Sequence, residues 1–157
     1  MKIELWSIGK CAHQYIEDGI EVYKKKLVHY FPFEYKEWHE SKTLRTAEKS
    51  QSLKLQSELI LHKISNDDYL ILFDEKGKML DSKTFSKVME RWLSLSRKKV
   101  ILLIGGAFGF HENVYARANE KISLSQMTFS HDMVRLIILE QVYRAGTILR
   151  NESYHHD

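Results

Sequence analysis

A chain of 157 residues with 43% hydrophobic and 11% aromatic side chains has the size of one domain and the apolar material for a core, which excludes a disordered chain or a string of tethered modules. Its 24 Lys and Arg against 21 Asp and Glu leave a net charge of +3, which permits an anionic partner without requiring one. Cys11 is the only cysteine, so neither an intrachain disulfide nor a cysteine-built metal site is expected; with no signal-type stretch at the N-terminus and no apolar run of about 18 residues, the expectation is a cytoplasmic protein with no metal and no membrane span.

In chain order, Lys2-Ile3-Glu4-Leu5-Trp6-Ser7-Ile8 alternates with period two and reads as a strand ending at Gly9. Residues 12 to 29 read as a helix and Phe33-Glu34-Tyr35-Lys36-Glu37-Trp38 as a second strand, just after the single proline, Pro32. No repeat, low-complexity segment or proline-rich linker divides the chain. From Thr46 to Ile64 the sequence is polar and proline-free with leucines in its second half, which predicts a helix that packs only partly, its first half mobile. Asn66-Asp67-Asp68 breaks it, and Tyr69-Leu70-Ile71-Leu72-Phe73 is a short apolar strand ended by Asp74-Glu75-Lys76-Gly77.

Phe85, Val88, Met89, Trp92 and Leu93 recur at helical spacing, with Asp81 or Ser82 placed to cap the N-terminus. Strand, helix and strand therefore alternate through residues 69 to 104, and short strands apolar on both faces are what a helix-covered parallel sheet needs. The fold class is α/β. The strand Val100-Ile101-Leu102-Leu103-Ile104 runs into Gly105-Gly106-Ala107-Phe108-Gly109, where Phe110 and His111 replace the lysine and hydroxyl of a phosphate loop and the dinucleotide glycine spacing fails. Paired glycines after a buried strand fit a ligand loop and a tight strand-to-helix turn equally.

A helix from about 132 to 149 carries Met133, Val134, Leu136, Ile137, Ile138, Leu139, Val142, Tyr143, Ile148 and Leu149, leaving hardly any polar face. It is expected to be buried all round, one side on the sheet and another on a second copy across a two-fold axis. Arg135, Glu140 and Arg144 interrupt it; Glu140 and Arg144 are i,i+4, as are His131 and Arg135, and both a structural ion pair and a functional role remain open.

Five segments in this order, Phe73-Asp74-Glu75-Lys76-Gly77-Lys78-Met79-Leu80, Ile104-Gly105-Gly106-Ala107-Phe108-Gly109, Leu124-Ser125-Gln126-Met127-Thr128-Phe129, Glu140-Gln141-Val142-Tyr143-Arg144-Ala145 and Tyr154-His155, resemble the RlmH family of SPOUT methyltransferases over essentially the whole chain. The resemblance implies one SPOUT domain over residues 1–157, mainly parallel sheet flanked by helices with a C-terminal trefoil knot, and a homodimer. It also implies S-adenosylmethionine-dependent methylation of N3 of a pseudouridine in 23S ribosomal RNA, on the intact ribosome. Carried over by position, the cofactor contacts fall on Phe73, Gly105, Leu124, Ser125, Gln126, Met127, Thr128 and Phe129. A phosphate-loop lysine would bring nothing to this cofactor, which carries its own sulfonium cation.

The same resemblance sets His131, Arg135, Arg144, Tyr154 and His155 against RNA, the arginines suited to phosphate and His155 to removing the imide proton. Lys24, Lys25, Lys26, Lys42, Arg45 and Lys49 extend that footprint or form a solvated face. Three positions depart from the family pattern: Phe73 where leucine is common, Ser130 where proline precedes the histidine, and His156-Asp157 where a basic residue is common. A nucleotide-binding regulatory protein and a non-catalytic RNA-binding module are the alternatives.

Overall fold

A computed structural model describes residues 1–39, 48–106 and 108–156. The elements are β1 (Lys2–Ile8), α1 (Gln14–Leu27), β2 (Phe33–Trp38), α2 (Lys49–Leu61), β3 (Tyr69–Met79), α3 (Ser82–Leu93), β4 (Lys99–Ile104), α4 (Glu112–Arg117), β5 (Glu120–Ser123) and α5 (His131–Leu149). The strands form one sheet in the order β2-β1-β4-β3-β5, with every neighbouring pair parallel.

The period-two alternation splits the strand side chains between two cores. Ile3, Leu5, Ile71, Phe73, Val100, Leu102 and Ile104 face α1, α3 and α5, while Trp6, Ile8, Leu70, Leu72, Ile101 and Leu103 face the side of α2 and α4. Both faces are thus covered, as a parallel sheet requires. Glu4 is buried in β1 and kept charged by its partners: Trp6 Nε1 donates to it at 2.7 Å and Lys36 Nζ at 3.0 Å. On α3, Asp81 rather than Ser82 is the cap, its carboxylate accepting from the Thr84 N–H at 2.6 Å. α1 and α3 both pack on α5.

Two expectations change. β3 does not stop at Phe73 but runs to Met79, because Lys78 and Met79 pair again with Ile122 and Ser123 of β5. Gly77 allows this: a Cβ there would lie 2.4 Å from the Ile122 carbonyl carbon, so only glycine fits against that backbone. In α2 the buried residues are Gln56, Ser57 and Ile60, whereas Leu59 is exposed; Thr46, its expected start, lies outside the described residues. Within one chain α5 is covered on one side only. Asp132, Arg135, Ile138, Leu139, Val142 and Ala145 form its buried stripe, and Met133, Val134 and Ile137 stay partly open.

Candidate functional site

The carboxyl ends of β3 and β5 frame two adjoining hollows, of about 140 and 350 Å³. Phe73, Ser123, Leu124 and Phe129 belong to both. The whole run from Leu124 to Phe129 lines the smaller one, as sheet ends in open α/β folds should. This run is a loop whose shape is set locally: Ser125 Oγ accepts the Met127 N–H at 2.9 Å, and Ser123 Oγ donates to the Ser125 carbonyl at 3.1 Å. Met127 is 75% exposed and Phe129 37%, so large apolar groups stand in water at the rim.

Gly105 lines neither hollow. It follows Ile104, which is paired with Phe73, and the turn folds back over it: the Gly109 N–H donates to the Gly106 carbonyl at 3.0 Å, and Gly109 takes φ +75°. Ala107 lies outside the described residues. Asp74 and Glu75 also face the smaller hollow, and Ser82 and Gln141 the larger; the sequence reading gave none of these four a site role. For the first two, their place directly after the apolar run that ends at Phe73 was the available signal. Asp74 accepts from the Tyr115 hydroxyl at 2.6 Å; burial, with this carboxylate's help, pushes the phenol's pKa well up.

A second cluster forms where the C-terminal tail returns along α5. Asn151 takes φ +55°, the Glu152 N–H donates to Thr147 O at 2.9 Å and the Asn151 N–H to Ile148 O at 3.0 Å, which is a Schellman turn with asparagine in the left-handed position. The reversed chain brings Tyr154 and His155 back to Glu140 and Arg144. Glu140 Oε1 accepts from Arg144 Nη2 at 2.6 Å, Arg144 Nε at 3.0 Å and the Tyr154 hydroxyl at 3.1 Å. The Arg144 guanidinium lies 4.7 Å from the Tyr154 ring centroid, and Tyr143 packs edge-on to that ring at 4.9 Å. Burial raises the Tyr154 hydroxyl's pKa, with the Tyr23 hydrogen bond and Glu140 adding to it, and the Glu140 hydrogen bonds raise that of Arg144.

Arg144 Nη1 also donates to His155 Nδ1, at 3.3 Å. That nitrogen is therefore the acceptor, and the neutral ring carries its proton on Nε2. Lys26, on the last turn of α1, adds its ammonium 5.1 Å from the Tyr143 ring, so this expected basic residue stands beside the tail cluster. Lys24 pairs with Glu21, and Lys49 lies 4.7 Å from the Phe108 ring. Lys42, Arg45 and Asp157 lie outside the described residues.

Arg135 is not at the surface. It is fully buried, donating from Nη1 to Glu37 at 2.8 Å and from Nη2 to the Gly9 carbonyl at 3.0 Å, with Asp132 at 3.7 Å. The expected phosphate contact is corrected accordingly, because desolvating the guanidinium among two carboxylates ties it to the ends of β1 and β2. His131, at the start of α5, donates from Nε2 to the Ile8 carbonyl at 2.6 Å. Ser130, standing where proline is common, caps that helix by accepting the Met133 N–H at 3.3 Å.

Among the described residues no group of three His, Cys, Asp or Glu is placed to hold a metal, and no helix is long and apolar enough to cross a membrane. The family described as "Predicted SPOUT methyltransferase" matches residues 1–155. Over 157 residues the chain is 46% identical to a ribosomal RNA large subunit methyltransferase H from Parabacteroides distasonis, covering all of both chains. It is 47% identical to the protein of that name from Cytophaga hutchinsonii, with 99% of this chain and 100% of the relative covered, and 40% identical to that from Bdellovibrio bacteriovorus, with 99% of each covered.

Proposed function

The chain belongs to the SPOUT methyltransferase family, and from that premise we propose that it methylates N3 of a pseudouridine in large-subunit ribosomal RNA, using S-adenosylmethionine, on the assembled ribosome in the cytoplasm. The observation that carries this reading is the coincidence of Phe73 and the run Leu124–Phe129 around one hollow at the sheet's carboxyl ends.

The residues fit the cofactor. Phe73, Leu124 and Phe129 offer apolar walls to an adenine plate, and the loop backbone from Ser125 to Thr128 offers polar groups to its edges. The carboxylates of Asp74 and Glu75 at the same hollow suit a ligand that bears positive charge on sulfur and nitrogen. What the bound cofactor supplies is an activated methyl group for in-line displacement by a nucleophilic nitrogen.

The chain's own part is binding, orientation and proton handling. Arg144 presents a guanidinium, a quarter exposed, to RNA phosphate, and Tyr154 gives a surface on which a base or sugar can rest. His155 was expected to act as base. While the tail is docked its Nδ1 is engaged by Arg144, so the ring can serve as base through that nitrogen once Arg144 turns to phosphate. We further propose that Met127, Phe129, Met133 and Ile137, left partly open in one chain, pack on a second copy.

Calorimetry tests the cofactor reading: S-adenosylmethionine and S-adenosylhomocysteine are expected to bind and ATP not. A preference for ATP would overturn it in favour of a nucleotide-binding regulator.

A further inference from the structure

The hollow and the tail cluster are joined by one side chain. Gln141 lines the larger hollow together with Ser82. Its Oε1 accepts from the Ser82 hydroxyl at 2.8 Å, and its Nε2 donates to Glu140 Oε2 at 2.7 Å. The other oxygen of that carboxylate, Oε1, is the one that receives both Arg144 and Tyr154.

We infer that Gln141 is a positioning residue that couples occupation of the hollow to the docking of the tail, through Ser82, Gln141 and Glu140. The inference rests on the cofactor reading above, with the ligand reaching from the smaller hollow into the larger one that shares Phe73, Ser123, Leu124 and Phe129 with it. A primary amide is the group this junction needs, since it accepts at one end and donates at the other in one rigid plane. Turning it over would set its oxygen against Glu140 Oε2, so the Glu140 carboxylate fixes the amide's orientation. A ligand that engages the Ser82 hydroxyl or the amide oxygen alters how firmly Nε2 holds Glu140, and with it the carboxylate on which Arg144 and Tyr154 hang. By linkage, what loosens or tightens the tail alters affinity in the hollow by the same factor.

The test uses the full chain with S-adenosylhomocysteine as probe, calorimetry for binding, and amide hydrogen exchange over residues 152–156 for the tail. In the wild type the probe is expected to change tail exchange by about tenfold, the size of a modest coupling. Gln141→Met, close in volume but without the amide, is expected to keep measurable probe binding while the tail response at probe saturation falls below about twofold. Ser82→Ala cuts the same junction from the other end and is expected to match it, whereas Ser82→Thr retains the hydroxyl and the response. A wild-type response in Gln141→Met or Ser82→Ala, or its loss in Ser82→Thr, overturns the inference alone. Failure of the wild type to bind the probe overturns the cofactor reading, and the inference with it.

Discussion

Arg135 and Arg144 sit nine residues apart on α5, about two and a half turns, so they project from opposite sides of one helix. Both bind a carboxylate at under 3 Å, yet the environments differ. Arg135 has no exposed side-chain surface and its partners are Glu37 of β2, Asp132 of α5 and the Gly9 carbonyl just after β1, so it fastens the helix to the sheet. Arg144 is a quarter exposed and holds a neighbour on its own helix plus the returning tail, contacts that the proposed function exchanges for RNA. Similar chemistry thus yields a buried anchor in one place and a solvent-accessible clamp, the one proposed to release, in the other.

The comparison breaks first at Arg135. Arg135→Met leaves Asp132 and Glu37 without their cation and is expected to cost about 3 kcal/mol or more in denaturant unfolding. A loss of RNA affinity with unchanged stability would show that Arg135 is a substrate contact after all. Next, Arg144→Ala is expected to lower methyl transfer by about a hundredfold while changing stability by no more than about 1 kcal/mol. Equal loss of stability in both variants would erase the distinction.

The smallest effect is on pH. Burial pushes the Asp132 carboxyl up, but the His13 hydrogen bond at 2.7 Å, the Ala12 N–H at 2.9 Å and the Arg135 charge outweigh it and hold its pKa below the ordinary 3.8. A lowered folded value means that this contribution is present above pH 3.8 and disappears as pH falls through the folded value beneath it. The stability gap between the wild type and Asp132→Asn should therefore narrow in acid below that point and stay level above it, as followed by urea unfolding.

Local patterns were legible from sequence where the cause is local. The strands Lys2–Ile8 and Phe33–Trp38, the α3 stripe with its Asp81 cap and the parallel α/β class all follow from periodicity. The extension of β3 to Met79 was not legible, because Asp74 to Met79 is polar and its pairing is dictated by β5 some forty residues on. Arg135 was misread for a similar reason: Glu37 lies 98 residues away and Gly9 126, beyond any helical spacing rule. The loop from Leu124 to Phe129 carries no periodic signal, and only the ordered set of motifs marked it. The tail's return does have a local signature, since asparagine tolerates the left-handed turn that Asn151 adopts, but its landing on Glu140 and Arg144 depends on the folded helix.

The central claim is tested most directly by offering labelled S-adenosylmethionine and ribosomes from cells lacking this enzyme to the full chain and to a chain ended at Arg150, with S-adenosylhomocysteine binding measured on both. The full chain is expected to label N3 of one pseudouridine in the large-subunit RNA, and the shortened chain to bind the probe but transfer no methyl. No label from the full chain, or equal label from the chain without Tyr154 and His155, would contradict it.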